Sequence, residues 1–303
     1  MEEIQEGPNS KNLSMGVEAV VAWLGDRTSS RCGIKISQEE TYKLSHLIQN
    51  RMTALAVNDP IRYFQLVESQ SAAGVTEWEQ LLSGFMNGET FFFRDSGQFT
   101  LLKEQILPAL ILRRKAARTL RIWSAGCSTG EEAYSLAILV DQLLPDRQDW
   151  DISILGTDIN CRSLQHAQQG RYGQWAFRKV DTDLQQRYFT QTGHQWVLNE
   201  SIRKMAMFRQ CNLVADTFSS SSLGNDYFDL ILCRNVFVYF HTDAIGHVMK
   251  KMAESLMSDG YFLTGHGELP AQTVGVLQAK IYPDSVIYQR PQPACVVAYE
   301  SGL

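Results

Sequence analysis

Trp123-Ser-Ala-Gly126-Cys-Ser-Thr-Gly130-Glu131-Glu132-Ala-Tyr134 sets a glycine turn between a strand pattern and a helix pattern. Upstream, Leu120-Arg-Ile-Trp-Ser124 reads as a buried strand. Downstream, Ala133, Leu136, Ala137, Val140, Leu143 and Leu144 recur at helical spacing until Pro145 stops the helix. Glycines at such a turn let backbone approach a ligand, and the N–H groups of the helix start can donate to it. A phosphate-cradling loop would need a lysine after the second glycine, but Glu131 and Glu132 follow instead. Two carboxylates there repel a triphosphate, suit the helix dipole, and can accept from ribose hydroxyls or an amino group. S-adenosylmethionine has these groups and no phosphate. An ordinary strand–turn–helix would show the same spacing, so this stretch alone leaves both readings open.

A second strand pattern, Ile152-Ser-Ile-Leu-Gly-Thr157, ends in Asp158, whose carboxylate could take both hydroxyls of a ribose. Tyr227-Phe-Asp-Leu-Ile-Leu-Cys233 is a third apolar run and delivers Arg234 and Asn235 at its end. Gly260-Tyr-Phe-Leu-Thr-Gly265 is a fourth, preceded by Met249, Met252, Leu256 and Met257 at helical spacing. Strands alternating with helices imply an α/β fold with a doubly wound parallel sheet, whose ligands lie at the carboxyl ends of the strands.

Four segments in order resemble one family, the chemotaxis-type (CheR-like) protein-glutamate O-methyltransferases that modify bacterial chemoreceptors. They are Glu89-Thr-Phe-Phe-Phe-Arg94, Trp123 to Glu132, Gly156-Thr-Asp158-Ile, and Cys233-Arg-Asn-Val-Phe-Val-Tyr-Phe240, and the resemblance spans roughly residues 34 to 290. It implies a class I methyltransferase-like sheet with a small N-terminal helical domain and a short antiparallel β insertion. Carried over by position, the residues around S-adenosylmethionine, and around its product S-adenosylhomocysteine, are Thr90, Arg94, Glu132, Asp158, Asn212, Leu213, Arg234 and Asn235, beside the turn glycine Gly126. Many members carry Asn where this chain has Gly88, so one cofactor hydrogen bond is either missing or supplied by Asn87.

The chemistry implied asks little of the protein beyond orientation. A glutamate has a reference pKa of about 4.3, so its carboxylate is already an anionic nucleophile near neutral pH and needs no general base. In-line alignment of oxygen, methyl carbon and sulfur can supply several kcal/mol, of order 7 at the favourable limit. The resemblance points to Arg94 and Tyr239 as the groups nearest that event. Arg94 would fix a carboxylate through its fork of donors, and Tyr239 would hydrogen-bond an oxygen so that one lone pair faces the methyl group. The run Phe91 to Phe93 reads as packing that seats Arg94, not as a stacking platform.

The 303 residues and 44% hydrophobic content suffice for one large or two modest domains. No apolar run approaches the roughly eighteen residues of a membrane span, and the acidic start is unlike a secretory signal, so a cytoplasmic protein is expected. A net charge of −5, without clusters of basic and aromatic residues, gives no footprint for nucleic acid. The six cysteines show no zinc spacing, which predicts free thiols and no metal. Cys127 and Cys233, near the expected site, read as small packing residues, and His266 as a structural histidine. The expected partner is a receptor or related signalling protein, and a monomer is expected.

Residues 1–33, with one apolar patch from Val17 to Leu24, read as an extension or an isolated helix. A helical domain over 34–86 follows, opened by the capping box Ser37-Gln-Glu-Glu40 and by Asp59-Pro60 at a second helix start. In the family such a domain helps grip the receptor, partly through a basic helix. Here that helix sets Lys43 and Arg51 beside Glu39 and Glu40. The methyltransferase domain is expected over 87–290, with a β insertion over about 171–211. In that insertion Gln195–Leu198 and Lys204–Phe208 read as strands turning near Asn199, and Trp175 and Trp196 as its core. Some members bind a receptor-tail peptide there, but this copy is short around Thr192-Gly-His194. Ser219 to Ser222 reads as a loop, Val286 to Tyr288 as a last strand, and 291–303 as a tail with an edge strand possible at Cys295–Tyr299. Two further readings stay open: a catalytically weak cofactor-binding module that docks on receptors, and a small-molecule methyltransferase.

Overall fold

The computed structural model describes residues 10–86, 88–218, 227–269 and 275–292. The readings placed at Asn87, at Ser219–Ser222 and over Cys295–Tyr299 lie outside these residues. Four helices come first: α1 (Ser10–Cys32), α2 (Gln38–Ala54), α3 (Pro60–Glu68) and α4 (Ala72–Phe85). Ser37 and Glu40 form the capping box of α2, Asp59 accepts from Ile61 N ahead of α3, and Ser71 caps α4 by accepting from Gly74 N. Val20, Val21 and Leu24 of α1 are buried with Leu44, Ile48, Tyr63, Val67 and Leu81 from the other three. The expectation of a separate extension over 1–33 is therefore corrected for the described part, α1. The Val17–Leu24 patch is the face with which α1 closes the bundle, because a lone amphipathic helix would leave that face in water.

A helical rod follows, built from α5 (Ser96–Leu101), a π-helical stretch (Leu102–Ile106) and α6 (Leu107–Arg114). The α/β succession is then β1 (Thr119–Ala125), α7 (Glu131–Leu143), β2 (Asp151–Asp158) and α8 (Cys161–Gln169). The insertion holds β3 (Arg171–Gly173), α9 (Thr182–Tyr188), β4 (Phe189–Thr192), β5 (Gln195–Leu198) and α10 (Glu200–Arg203), and leads into β6 (Ala206–Gln210). Last come β7 (Phe228–Cys233), α11 (Thr242–Ser255), β8 (Leu256–Thr264), β9 (Gln278–Tyr282) and β10 (Ser285–Gln289).

Seven strands form one sheet in the order β6-β2-β1-β7-β8-β10-β9, and β3-β5-β4 form a small second sheet. The first five are parallel, whereas β10 runs antiparallel to both β8 and β9. Side chains alternate between faces. Leu120, Ile122, Leu230 and Leu232 pack with Leu136, Ala137 and Val140 of α7, while Trp123, Ala125, Ile231 and Cys233 pack with Val248, Met249 and Met252 of α11. Every residue of β7 is buried because helices cover both of its faces.

Three expectations change. Ala206–Gln210 pairs in parallel with β2, from Ile154↔Ala206 to Asp158↔Gln210, and is not the antiparallel partner of β5. That partner is β4, which turns at Gly193 (φ +60°) where the chain had looked short. The main-sheet position suits Phe208, whose ring lies over Gly156. A Cβ on that glycine would come within 2.6 Å of it. Secondly, Leu256 and Met257 begin β8 and do not end α11. Thirdly, Trp175 is 69% exposed and not insertion core, while Trp196 is half-buried against Phe177.

Phe92 joins the insertion to the main domain. It is fully buried, stacks on Phe177 (ring centroids 5.1 Å apart), and meets Tyr172 and Phe189 edge-on at 4.9 Å. Its N–H donates to Ala176 O (3.0 Å). Phe92→Ala is expected to lower unfolding free energy by about 3–5 kcal/mol, read as a fall in denaturant midpoint at unchanged slope. Glu131, the first residue of α7, is 4% exposed and accepts from Thr129 Oγ1 (2.6 Å), and burial raises its pKa. A raised folded pKa means that the folded state holds the proton longer than the unfolded one. Stability from this group is therefore lost as pH rises from the ordinary carboxylate value through the folded one. Glu131→Gln should match wild type in acid and be the more stable protein at neutral pH, as unfolding curves at pH 4 and pH 7 will show.

Candidate functional site

The carboxyl ends of β1, β2 and β7 open into one cleft, closed from the other side by the α1 end and by Met86, the 88–91 stretch and Arg94. Gly88, Thr90, Arg94, Gly126, Glu132, Asp158, Asn212, Leu213, Arg234, Asn235 and Tyr239 all line it. The parallel register explains the convergence, since Ala125 lies opposite Thr157, and Ser124 lies near the end of β7 beside Leu232. Polar residues that follow each strand must emerge at this edge.

The glycine turn is built for the protein's own packing as well as for access. Gly126 (φ +74°) has Val236 Cγ2 where a Cβ would point, and Gly130 (φ +91°) has Ala167 Cβ within 2.7 Å of such a position. The turn's first amides, ahead of the helix start, are also spent internally. Gly126 N and Cys127 N both donate to Thr157 O (2.7 and 2.9 Å), and Ser128 N donates to Asp158 Oδ2 (2.8 Å). Gly88 O accepts from Ser128 Oγ (2.8 Å), and an added Cβ at 88 would sit 2.9 Å from that hydroxyl. Ser128 thus fills the space that a larger residue at 88 would take.

The acids have different settings. Asp158 accepts from Ser128 N and Asn160 N, one on each oxygen (both 2.8 Å), and burial raises its pKa against these bonds and a further backbone one from Ile159. A carboxylate has about four acceptor sites, which leaves capacity for a hydroxyl donor. Glu132 accepts from Ser124 Oγ (2.7 Å) and from Arg234 Nη1 (2.9 Å). Arg234, its side chain 3% exposed, also donates through Nε to Gln98 Oε1 (2.5 Å) and through Nη2 to Arg94 O (2.6 Å). Arg94 lies at the mouth. Its Nη1 donates to Glu89 O (2.7 Å), and it sits between the left-handed residues Phe93 (φ +55°) and Asp95 (φ +69°). Tyr239, on a 3₁₀ turn (Phe237–Tyr239), is 37% exposed at the same mouth.

Several contributors had weak or no sequence signals. Gln98 is buried and donates to Thr264 O (2.8 Å) and Ser285 Oγ (2.9 Å), contacts made across more than a hundred residues. Glu268 is buried and accepts from Gly265 N (2.6 Å) and Asn235 N (3.0 Å). Its place just beyond β8, at the same sheet edge, was the one available clue. Cys32 also lines the cleft, although the helix that carries it had been set apart. Phe91, read as packing, lies 3.6 Å beneath the Arg178 guanidinium, a cation–π contact at the rim. His266 lies outside the cleft lining, where Nε2 meets Asp95 Oδ2 at 2.6 Å. Cys127 and Cys233 are both buried, as expected of packing residues, and Cys127 also borders the cleft. Among the described residues no group of three or more His, Cys, Asp or Glu could hold a metal ion, and no helix is long and apolar enough to cross a membrane.

The chain was compared with known proteins. Residues 88–280 match the family described as CheR methyltransferase, SAM binding domain. A chemotaxis protein methyltransferase of Borreliella burgdorferi is 30% identical over 241 residues, covering 78% of this chain and 83% of its own. Chemotaxis protein methyltransferase 1 of Pseudomonas aeruginosa is 31% identical over 242 residues, covering 78% and 85%. Among solved structures, magnesium protoporphyrin IX methyltransferase from Synechocystis, with bound SAM, aligns at 14% identity and a TM-score of 0.34, covering 74% of this chain and 92% of its own. With the five parallel strands, the glycine turn, Glu132 in the first turn of α7 and Asp158 at the end of β2 all inside the matched segment, this chain belongs to the CheR methyltransferase family and carries that family's S-adenosylmethionine-binding domain.

Proposed function

We propose that this protein transfers the methyl group of S-adenosylmethionine to glutamate side-chain carboxylates of a chemoreceptor or related signalling protein, giving glutamate methyl esters and S-adenosylhomocysteine. The observation that carries the reading is that Arg94 and Tyr239 line the same cleft as Asp158 and Glu132. These groups fit S-adenosylmethionine. Asp158 keeps lone pairs for ribose hydroxyls, Glu132 is held in place by Ser124 and Arg234, and no lysine takes the place that a phosphate loop would give it.

When bound, S-adenosylmethionine supplies an electrophilic methyl group on a sulfonium. A substrate carboxylate oxygen forms the new bond to that carbon as the carbon–sulfur bond breaks, and the bonding pair stays on sulfur. No proton is moved, so the chain needs no general base. Arg94 holds the substrate carboxylate by its planar donors, and the Tyr239 hydroxyl fixes the attacking oxygen. Arg234 acts through its neighbours, because its guanidinium already ties Gln98, Glu132 and the Arg94 carbonyl together.

Two outcomes are expected. In calorimetric titrations with S-adenosylhomocysteine, Asp158→Ala should weaken binding by about 1–3 kcal/mol, the cost of leaving hydroxyl donors unpaired. In the second, radiolabelled methyl transfer is measured on the cytoplasmic domains of chemoreceptors from the same genome. The label should be released as volatile methanol by mild alkali, as an ester demands, and Arg94→Ala and Tyr239→Phe should cut turnover at least about tenfold, Tyr239→Phe at nearly unchanged S-adenosylhomocysteine affinity. Alkali-stable label would point to a different acceptor, and full activity in both variants would remove them from the reaction.

A further inference from the structure

The five-residue connection between α1 and α2 (33–37) does more than join two helices. Ile34 forms an isolated antiparallel bridge with Phe240. Lys35 N donates to Tyr239 O (2.7 Å), and His241 N donates to Gly33 O (3.0 Å). One turn earlier, at the end of α1, Arg31 O accepts from Asn212 Nδ2 (2.9 Å). The connection is thus hydrogen-bonded on both sides of Phe240, once at Tyr239 itself, and the end of α1 is bonded to Asn212, so that two residues of the cleft on different elements are held.

Its own position is fixed by packing. Gly33 has φ +72°, and a Cβ there would come within 2.6 Å of Ala244 Cβ and 2.7 Å of Val214 Cγ2. Ile34 and Cys32 are buried in a cluster with Leu82 of α4, against which Phe240 packs. A shift of the helical bundle therefore reaches Tyr239 through the two backbone hydrogen bonds of the Ile34–Phe240 bridge, with no flexible side chain between.

We infer that the Cys32–Lys35 connection is a wall of the cofactor cleft that positions Tyr239 and Asn212, so that occupancy of the cleft and the placement of the N-terminal helices are coupled. The inference rests on the cleft being the cofactor site. Lys35 is suited to test it, because its side chain is exposed and only its N–H reaches Tyr239. Lys35→Pro deletes that donor, and proline favours an extended residue before it, the conformation that Ile34 already has in its bridge.

The experiment is amide hydrogen exchange on the wild-type full chain with and without S-adenosylhomocysteine, together with calorimetric titration of Lys35→Pro and Lys35→Ala. Expected are slowed exchange at 33–36 and 239–241 along with 126–132, and affinity weakened about tenfold by Lys35→Pro but unchanged by Lys35→Ala. Where Lys35→Pro is folded, an affinity equal to that of wild type overturns the inference. Where it is not folded, the exchange data decide: protection of 126–132 with 33–36 unaltered overturns it. Absence of protection at 126–132 overturns the cofactor reading itself, and the coupling with it.

Discussion

The buried guanidinium of Arg234 is the charge around which the cleft is assembled. Moving an arginine out of water costs several kcal/mol, and only a complete set of partners offsets this. The partners come from three places: Gln98 on α5, Glu132 on α7, and the carbonyl of Arg94 between the helical bundle and α5. Gln98 then reaches β8 and β10 through Thr264 O and Ser285 Oγ. The ring of Phe99 lies 5.4 Å from the guanidinium carbon and covers it. A lysine could neutralise Glu132, but it has no planar fork with which to hold three acceptors in fixed directions. This one side chain therefore sets how Arg94, Glu132 and the end of β7 lie relative to one another.

Around that centre the backbone is held in unfavourable shapes. Phe93, Ser128 and Asn235 all have positive φ, each at a cost of about 1–3 kcal/mol unless the surroundings fix it. Each one's N–H is caught by a side chain from another element. Phe93 N donates to Ser135 Oγ (3.0 Å), Ser128 N to Asp158 Oδ2 (2.8 Å), and Asn235 N to Glu268 Oε2 (3.0 Å). The acceptors Asp158 and Glu268 have pKa values raised by burial, so they too are held at a cost to stability. Strain and desolvation gather at the cleft while the sheet faces are packed with aliphatic and aromatic side chains.

What the sequence made legible is what local chemistry dictates. The four central strands, the capping box at Ser37 and the turn from Gly126 to Gly130 follow from apolar periodicity and backbone rules, and parallel register then brings their end residues to one edge. Long-range pairing was not legible. The β6 segment has a strand pattern whichever neighbour it takes, and the choice of β2 over β5 rests on Phe208 filling the space over Gly156, 52 residues earlier in the chain. Likewise β9, mostly exposed, has no apolar alternation to betray it. Gln98 and Glu268 gain their meaning only from partners that folding supplies, and Cys32 reaches the cleft only because α1 closes the helical bundle.

A cleft that holds a methyl donor must also keep its own nucleophiles from reacting, and three cysteines line this one: Cys32, Cys127 and Cys211. A thiolate is the reactive form, and a soft sulfur anion would compete with a carboxylate for an electrophilic methyl group. Burial prevents this in all three. It pushes the Cys32 thiol up to about 11 and the Cys211 thiol up to about 12. Cys127 is shifted well above its ordinary value by burial first, and then by the charges of Asp158, Glu132 and Glu131. At neutral pH each thiolate is then rarer than about one in a thousand. The acids expected to hold the cofactor thus also keep the nearest sulfur protonated. In the reaction proposed above, a substrate carboxylate, ionised in solution without help, would then be the competent nucleophile.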